Sequence, residues 1–167
     1  MANSVQTILT TAGHEALAKS FGGPSGGFSW CYGKHFKMGT LGYVLVGTEK
    51  FPATPDESLT DIQSSVSGTY WYRKTFQASN ILYISPGIMQ LQCFLDLGEA
   101  NGNVVNEPDT GVMVDGPKNS AWLSGAAPEF FEIGIFDPQD VLVAYGTFPR
   151  EVKLDTKTLN HLVSINF

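Results

Sequence analysis

The chain has 167 residues, with 10 Lys and Arg against 16 Asp and Glu and a formal net charge of −6, so the basic footprint that holds a nucleic-acid backbone is missing. Hydrophobic residues make up 43% and charged residues 16%, which excludes an intrinsically disordered chain. No apolar run approaches the roughly 20 residues that cross a bilayer as a helix, so neither nucleic acid nor membrane is an expected partner.

A chain of this length fits a single domain, 1–167, that buries a core without help from metal or disulfide. The 18 Gly and 9 Pro favour strands, turns and loops over helices. The opening MANSVQTILTTAG lacks a basic region followed by a long apolar core. It does not read as a secretory signal, and synthesis in a cytoplasm is expected. Cys31 and Cys93 stand far apart and read as two free thiols.

Within residues 5–20, Val5, Ile8, Leu9, Ala12, Ala16 and Leu17 approximate one apolar helical stripe. Threonine is a better N-cap than an interior helical residue, so Thr10-Thr11 also permits a later helix start. The preceding SVQTIL is then a short strand or arm. Gly22-Gly23-Pro24 ends the helix. Residues 22–39 read as a long Gly-rich aromatic loop. TLGYVLVGT at 40–48 reads as a buried strand between Gly42 and Gly47, and Pro52 and Pro55 argue against regular structure after it. Pro55-Asp56-Glu57-Ser58 fits a short helical turn carrying Leu59 and Ile62.

GTYWYRKTFQ at 68–77 is rich in aromatic and β-branched residues and reads as a strand. In IMQLQCFLDL at 88–97, Met89, Leu91, Cys93, Leu95 and Leu97 alternate with Gln90, Gln92 and Asp96, as in a half-buried strand. Residues 98–127 form a second long loop, crowded with turn pairs such as Asn101-Gly102 and Asp115-Gly116, with a brief strand at Val112–Val114. Residues 128–150, PEFFEIGIFDPQDVLVAYGTFPR, read as two apolar strands joined at Asp137-Pro138-Gln139-Asp140. Strict alternation puts Phe131, Ile133 and Ile135 on one face and Phe130, Glu132, Gly134 and Phe136 on the other. On the return strand it puts Val141, Val143 and Tyr145 opposite Leu142, Ala144 and Phe148. Both faces need cover, from the N-terminal helix on one side and from another subunit on the other. In the closing strand Leu159, His161, Val163, Ile165 and Phe167 share a face. The fold class is therefore α+β, mainly β: an antiparallel sheet with one N-terminal helix packed on it and long loops at 22–39 and 98–127.

His14, His35 and His161 show no metal-ligand spacing, and no Cys-x-x-Cys occurs, so no metal and no cofactor is expected. Cys31 and His35 are too close in sequence to suggest a catalytic pair. Glu132, inside an apolar strand, must be paired or hydrogen-bonded if buried. A structural partner such as Arg73, Lys74 or Arg150 is preferred to a catalytic role, and no catalytic residue is assigned. Candidate interface residues are Trp30, Tyr32, Phe36 and Trp122, joined by Glu132 and Phe136 of the hairpin and the terminal Phe167.

Four stretches together resemble the N-terminal domain of phage tail-collar fibre proteins. They are TILTTAGHEALAKS, TLGYVLVGTEKFPATPDESLTDIQ, FFEIGIFDPQDVLVAYGTFPREVKL and LNHLVSINF. The resemblance covers nearly the whole chain, and the hairpin is its most specific part. It implies a non-enzymatic virion protein that attaches a tail fibre to the baseplate of a contractile-tailed phage. The implied partners are baseplate proteins and a fibre chain, with self-association into a trimer. The implied location is the virion tail, after synthesis in the bacterial host cytoplasm. The chain stops where such proteins usually continue into a fibre shaft, which suggests a short adaptor. The alternatives are a carbohydrate- or receptor-binding module using Trp122 and other loop aromatics, and a small hydrolase using Cys31 or Glu132.

Overall fold

The computed structural model describes residues 3–21, 31–67, 69–100, 103–106, 113–118, 127–154 and 156–166. Trp30, Trp122 and Phe167 lie outside these residues. The elements in chain order are β1 (Asn3–Ser4), β2 (Gln6–Leu9), α1 (Thr11–Phe21), β3 (His35–Gly39), β4 (Tyr43–Val46), β5 (Glu49–Pro52), α2 (Gln63–Ser67) and β6 (Trp71–Thr75). A 3-10 turn at Ala78–Asn80 leads into β7 (Ile81–Ser85) and β8 (Ile88–Leu95). They are followed by β9 (Asn103–Asn106), β10 (Met113–Lys118), β11 (Glu129–Phe136), β12 (Leu142–Val152) and β13 (Leu159–Asn166). The α+β, mainly β class expected from the sequence is what is observed, with the longer helix near the N-terminus.

Two sheets carry the core. One has the order β2-β12-β11-β3-β6 and is antiparallel throughout. The other has the order β1-β13-β8-β7, and its only parallel pair is β1 with β13. Phe36, Met38, Ile133, Ile135 and Ala144 of the first sheet share one buried cluster with Leu91, Cys93, Leu95, Val163 and Ile165 of the second. The sheets therefore pack face to face, with apolar residues interdigitating between them. The N-terminal segment runs from one sheet to the other, and the buried Val5 lies between its two short strands.

The hairpin of β11 and β12 lies inside the first sheet, flanked by β3 and β2. Its facing departs from strict alternation at two irregularities. Ile135 pairs with Ala144 but Phe136 pairs with Leu142, so Val143 is an extra residue. A bulge of this kind re-aims side chains. Ala144 joins the core between the sheets, and Val143 reaches a cavity shared with Leu91 and Ile135 on that same side. Leu142 and Tyr145 join Phe136, Ile62 and Trp71 on the outer face. The second shift lies between Phe130 and Glu132, which pair with Glu151 and Thr147. It moves Phe130 into the core with Ile133 and Ile135. Pro149 falls in that irregular stretch, where its missing N–H leaves no ladder bond unmade.

Helix α1 begins at Thr11, the later of the two starts the sequence permits. The buried Thr10 is its N-cap: Gly13 N donates to Thr10 Oγ1 at 2.9 Å, while that hydroxyl donates to Leu142 O. Thr10 N donates to Val143 O at 2.9 Å, tying the helix start to β12. Gly13 is the point of closest approach, since a Cβ there would lie 2.7 Å from Val143 Cα. Helix propensity favours Gly13→Ala by about 1 kcal/mol. The collision is with backbone and cannot be relieved by a rotamer change, so the steric effect wins. Gly13→Ala is expected to destabilise the protein by about 1–3 kcal/mol. A rise in melting temperature for this variant would contradict the close packing.

Four expectations are corrected. His35–Gly39 is a strand, with His35, Phe36, Met38 and Gly39 buried, and does not belong to a loop. Its alternation was hidden by the glycines around it. Tyr43–Val46 is a strand but not a buried one: Val44, Leu45 and Val46 are 49%, 61% and 63% exposed. Among the described residues it pairs only with β5, which extends to Pro52, and glycines with positive φ, Gly42 (91°) and Gly47 (66°), bound it. Nor is 98–127 one long loop, since Asn103–Asn106 and Met113–Lys118 within it pair as antiparallel strands. Strand β7, Ile81–Ser85, was not anticipated at all.

Candidate functional site

The side chain that organises the outer face of the first sheet is Glu132. It is fully buried, in an otherwise apolar strand. Its four partners are neutral. Oε1 accepts from Ser64 N at 2.7 Å and Ser64 Oγ at 2.5 Å. Oε2 accepts from Gln63 N at 3.0 Å and Tyr145 Oη at 2.7 Å. The Ser64 hydroxyl also accepts from Leu41 N at 2.9 Å. A carboxylate with this many donors is satisfied without a cation, so the expected pairing with Arg73, Lys74 or Arg150 is replaced by the two amides that open α2. Burial, and then the adjacent Glu132 carboxylate, raise the Tyr145 phenol well above its ordinary value, so it remains a donor.

Residues 53–67 cross the outer face as a strap, and Glu132 is its central fastening. Thr147 Oγ1 donates to Ala53 O at 2.5 Å, and Thr11 N donates to Glu57 O at 2.8 Å. Lys37 Nζ lies 3.1 Å from Asp61 Oδ1 and sits over the rings of Trp71 and Phe136, 4.6 and 4.5 Å from their centroids. The strap inserts Ile62, fully buried, against Gly134: a Cβ on that glycine would lie 2.7 Å from Ile62 Cγ2. The hairpin therefore has both faces covered by its own chain, one by the second sheet and one by the strap, and needs no other subunit for this.

The candidate interface residues fare unequally. Phe36 and Phe136 are each 1% exposed, and Glu132 is fully enclosed. Their contacts lie inside the protomer, which corrects their assignment to an interface. Tyr32 is 54% exposed, at the mouth of a cavity of about 250 Å³ shared with Leu17, Cys31, Ile81 and Met89. An exposed apolar cluster lies on β4 and β5, where Val44, Leu45 and Val46 are joined by Phe51, 44% exposed. The sequence showed these residues as an apolar run but not that they face water.

Chemistry at Cys31 is disfavoured. Burial, helped by Asp137, pushes its thiol up to about 12, so the nucleophilic thiolate is suppressed. Burial likewise raises Cys93, and both cysteines are free. His35 stacks on Phe136 at 5.2 Å with a 4° interplanar angle. Its Nε2 is 3.5 Å from Asp140 Oδ1, outside hydrogen-bonding geometry, and has no partner. His161 packs on Phe148 at 4.2 Å, and neither of its ring nitrogens has a partner. Among the described residues no group of three His, Cys, Asp or Glu could hold a metal ion.

Compared with known proteins, the chain matches no family model, no curated protein and no solved structure.

Proposed function

We propose that the protein is a structural component of a phage tail that attaches or links a tail fibre to the baseplate, acting as an oligomer in the virion and without catalysis. The observation that carries this reading is the β4–β5 hairpin. Among the described residues its pairing is confined to two strands, and it presents Val44, Val46 and Phe51 on one face and Leu45 on the other to water. Two-stranded hairpins gain little stability by themselves, and contiguous exposed apolar surface marks a protein contact. Lys50, opposite Leu45 in the ladder, lies 4.8 Å from the Tyr43 ring centroid and 3.9 Å from Glu129, which ties the hairpin to β11. The reading is also supported by where the four resembling stretches fall: α1, the segment from β4 to the strap, the β11–β12 hairpin and β13. Partners are baseplate proteins and a fibre chain. Mass spectrometry of purified tails is expected to find the protein in the particle at a fixed ratio to baseplate components. Its absence from intact tails would refute the assignment.

A further inference from the structure

We infer that β7 is the pairing edge for a second copy of this chain, joined antiparallel about a two-fold axis into one continuous sheet. The inference is independent of the tail assignment. Among the described residues strand β7 ends its sheet, hydrogen-bonded to β8 on one side only. An edge strand exposes unpaired N–H and C=O groups, and proteins that remain monomeric blunt such edges with charge, proline or cover. Strand β6, at an edge of the other sheet, follows that rule with Arg73 and Lys74. Strand β7 does not: its sequence is ILYIS, without charge or proline.

Its side chains are apolar on both sides. Leu82 is 41% exposed, Tyr83 83% and Ile84 54%, with Ile88 of β8 beside them at 37%. The register shift falls between Tyr83 and Ser85, next to the Pro86-Gly87 turn, and leaves Ile81–Tyr83 regular. The cavity that Ile81 and Tyr83 help to line extends the apolar surface on one face. Exposed apolar patches on monomers run to a few hundred Å² each, on the order of 500 Å² at most for the two faces of this edge. Two copies together bury roughly the 1,000 Å² that a specific interface requires. An antiparallel strand pair is self-complementary about a two-fold axis, so one uncharged edge suffices for both partners. A net charge of −6 on each copy opposes association, so the dimer tightens as salt is added. Two-fold pairing yields a dimer at this edge, not the trimer the resemblance implies.

The test is light scattering on the full chain across a concentration series at two salt concentrations. The expected result is twice the chain mass at tens of micromolar, with dissociation on dilution. Ile84→Lys places a charge on the edge and is expected to give a monomer with an unchanged circular dichroism spectrum, whereas Leu45→Lys on the other exposed hairpin remains dimeric. A wild-type chain that is monomeric throughout would overturn the inference, and so would an Ile84→Lys dimer. Should Ile84→Lys fail to fold, Tyr83→Cys provides the second arm. It is expected to form an intermolecular disulfide on mild oxidation, and failure to cross-link would equally contradict β7 pairing.

Discussion

Replacing Glu132 by glutamine is expected to lower the unfolding free energy by about 3 kcal/mol, although it preserves shape and removes a buried charge. Each carboxylate oxygen accepts two hydrogen bonds, one of them from a backbone amide at the start of α2. A glutamine must turn its NH₂ toward one of those pairs. Whichever way it is placed, a backbone N–H meets a donor and stays buried without a partner, while the hydroxyl of that pair must give up its bond to the carboxylate and turn to accept. The loss is a large share of the 5–15 kcal/mol that a domain of this kind commands. Urea unfolding should show the midpoint falling by roughly 1–2 M with little change in slope. Ser64→Ala removes one donor to the carboxylate and the acceptor for Leu41 N, and should have a smaller effect, about 1–2 kcal/mol. A Glu132→Gln variant within 0.5 kcal/mol of wild type would show that the strap is held by its apolar contacts and not by this carboxylate.

Acid is expected to unfold the protein between pH 6.5 and pH 4. His35 and His161 are buried, and burial is the largest cause of a fall in each pKa from 6.5 to about 4. For His35 the cations Arg73 and Lys37 add to the fall, while Asp140 and Asp137 oppose it. For His161 Lys157 adds and Glu151 opposes. Both imidazoles are neutral in the folded state, whereas in the unfolded chain they charge near 6.5. The unfolded state therefore binds more protons inside this window, and stability falls as pH drops through it. Each histidine costs about 1.4 kcal/mol per pH unit, or roughly 3 kcal/mol over the whole window. Above pH 6.5 neither contributes any slope. His161→Leu replaces an imidazole whose nitrogens bond to nothing with an apolar side chain in an apolar site. The variant should unfold at lower pH than wild type, with a shallower dependence. Identical acid midpoints for the two proteins would contradict the burial of a neutral His161.

Local patterns carried much of the fold. The alternation in β8 and β13 is strict, because one face of each meets the opposing sheet and the other meets solvent or polar neighbours. Thr10 announced the start of α1 because capping is a local interaction. What alternation alone could not supply was the facing of residues around a bulge. Val143 and Ala144 are adjacent, yet both face the second sheet, since the extra residue resets the period. The apolar run of β4 failed differently: hydrophobicity records what a strand would gain by burial, not whether its own chain buries it. Strand β3 was obscured by a glycine-rich composition, and β7 by its position between two clearer strands.

The site was legible only in part. A carboxylate inside an apolar strand required partners, and the sequence said so of Glu132. The identity of those partners did not follow, because two of them are backbone amides 68 and 69 residues away, where no side-chain type marks them, and the other two are the neutral hydroxyls of Ser64 and Tyr145. Charge complementarity pointed to Arg73, Lys74 and Arg150, but Arg150 reaches Glu129 and Lys74 reaches Glu99.

Under the proposed function, attachment uses the exposed β4–β5 hairpin and not the enclosed β11–β12 pair. Hydrogen exchange followed by mass spectrometry, on the isolated protein and on assembled tails, tests it most directly. In the isolated protein the amides of residues 44–51 should exchange fast and those of 131–136 slowly. In the assembled tail, protection should rise at 44–51 and stay the same at 131–136. Equal exchange at 44–51 in both states would rule out attachment through β4–β5.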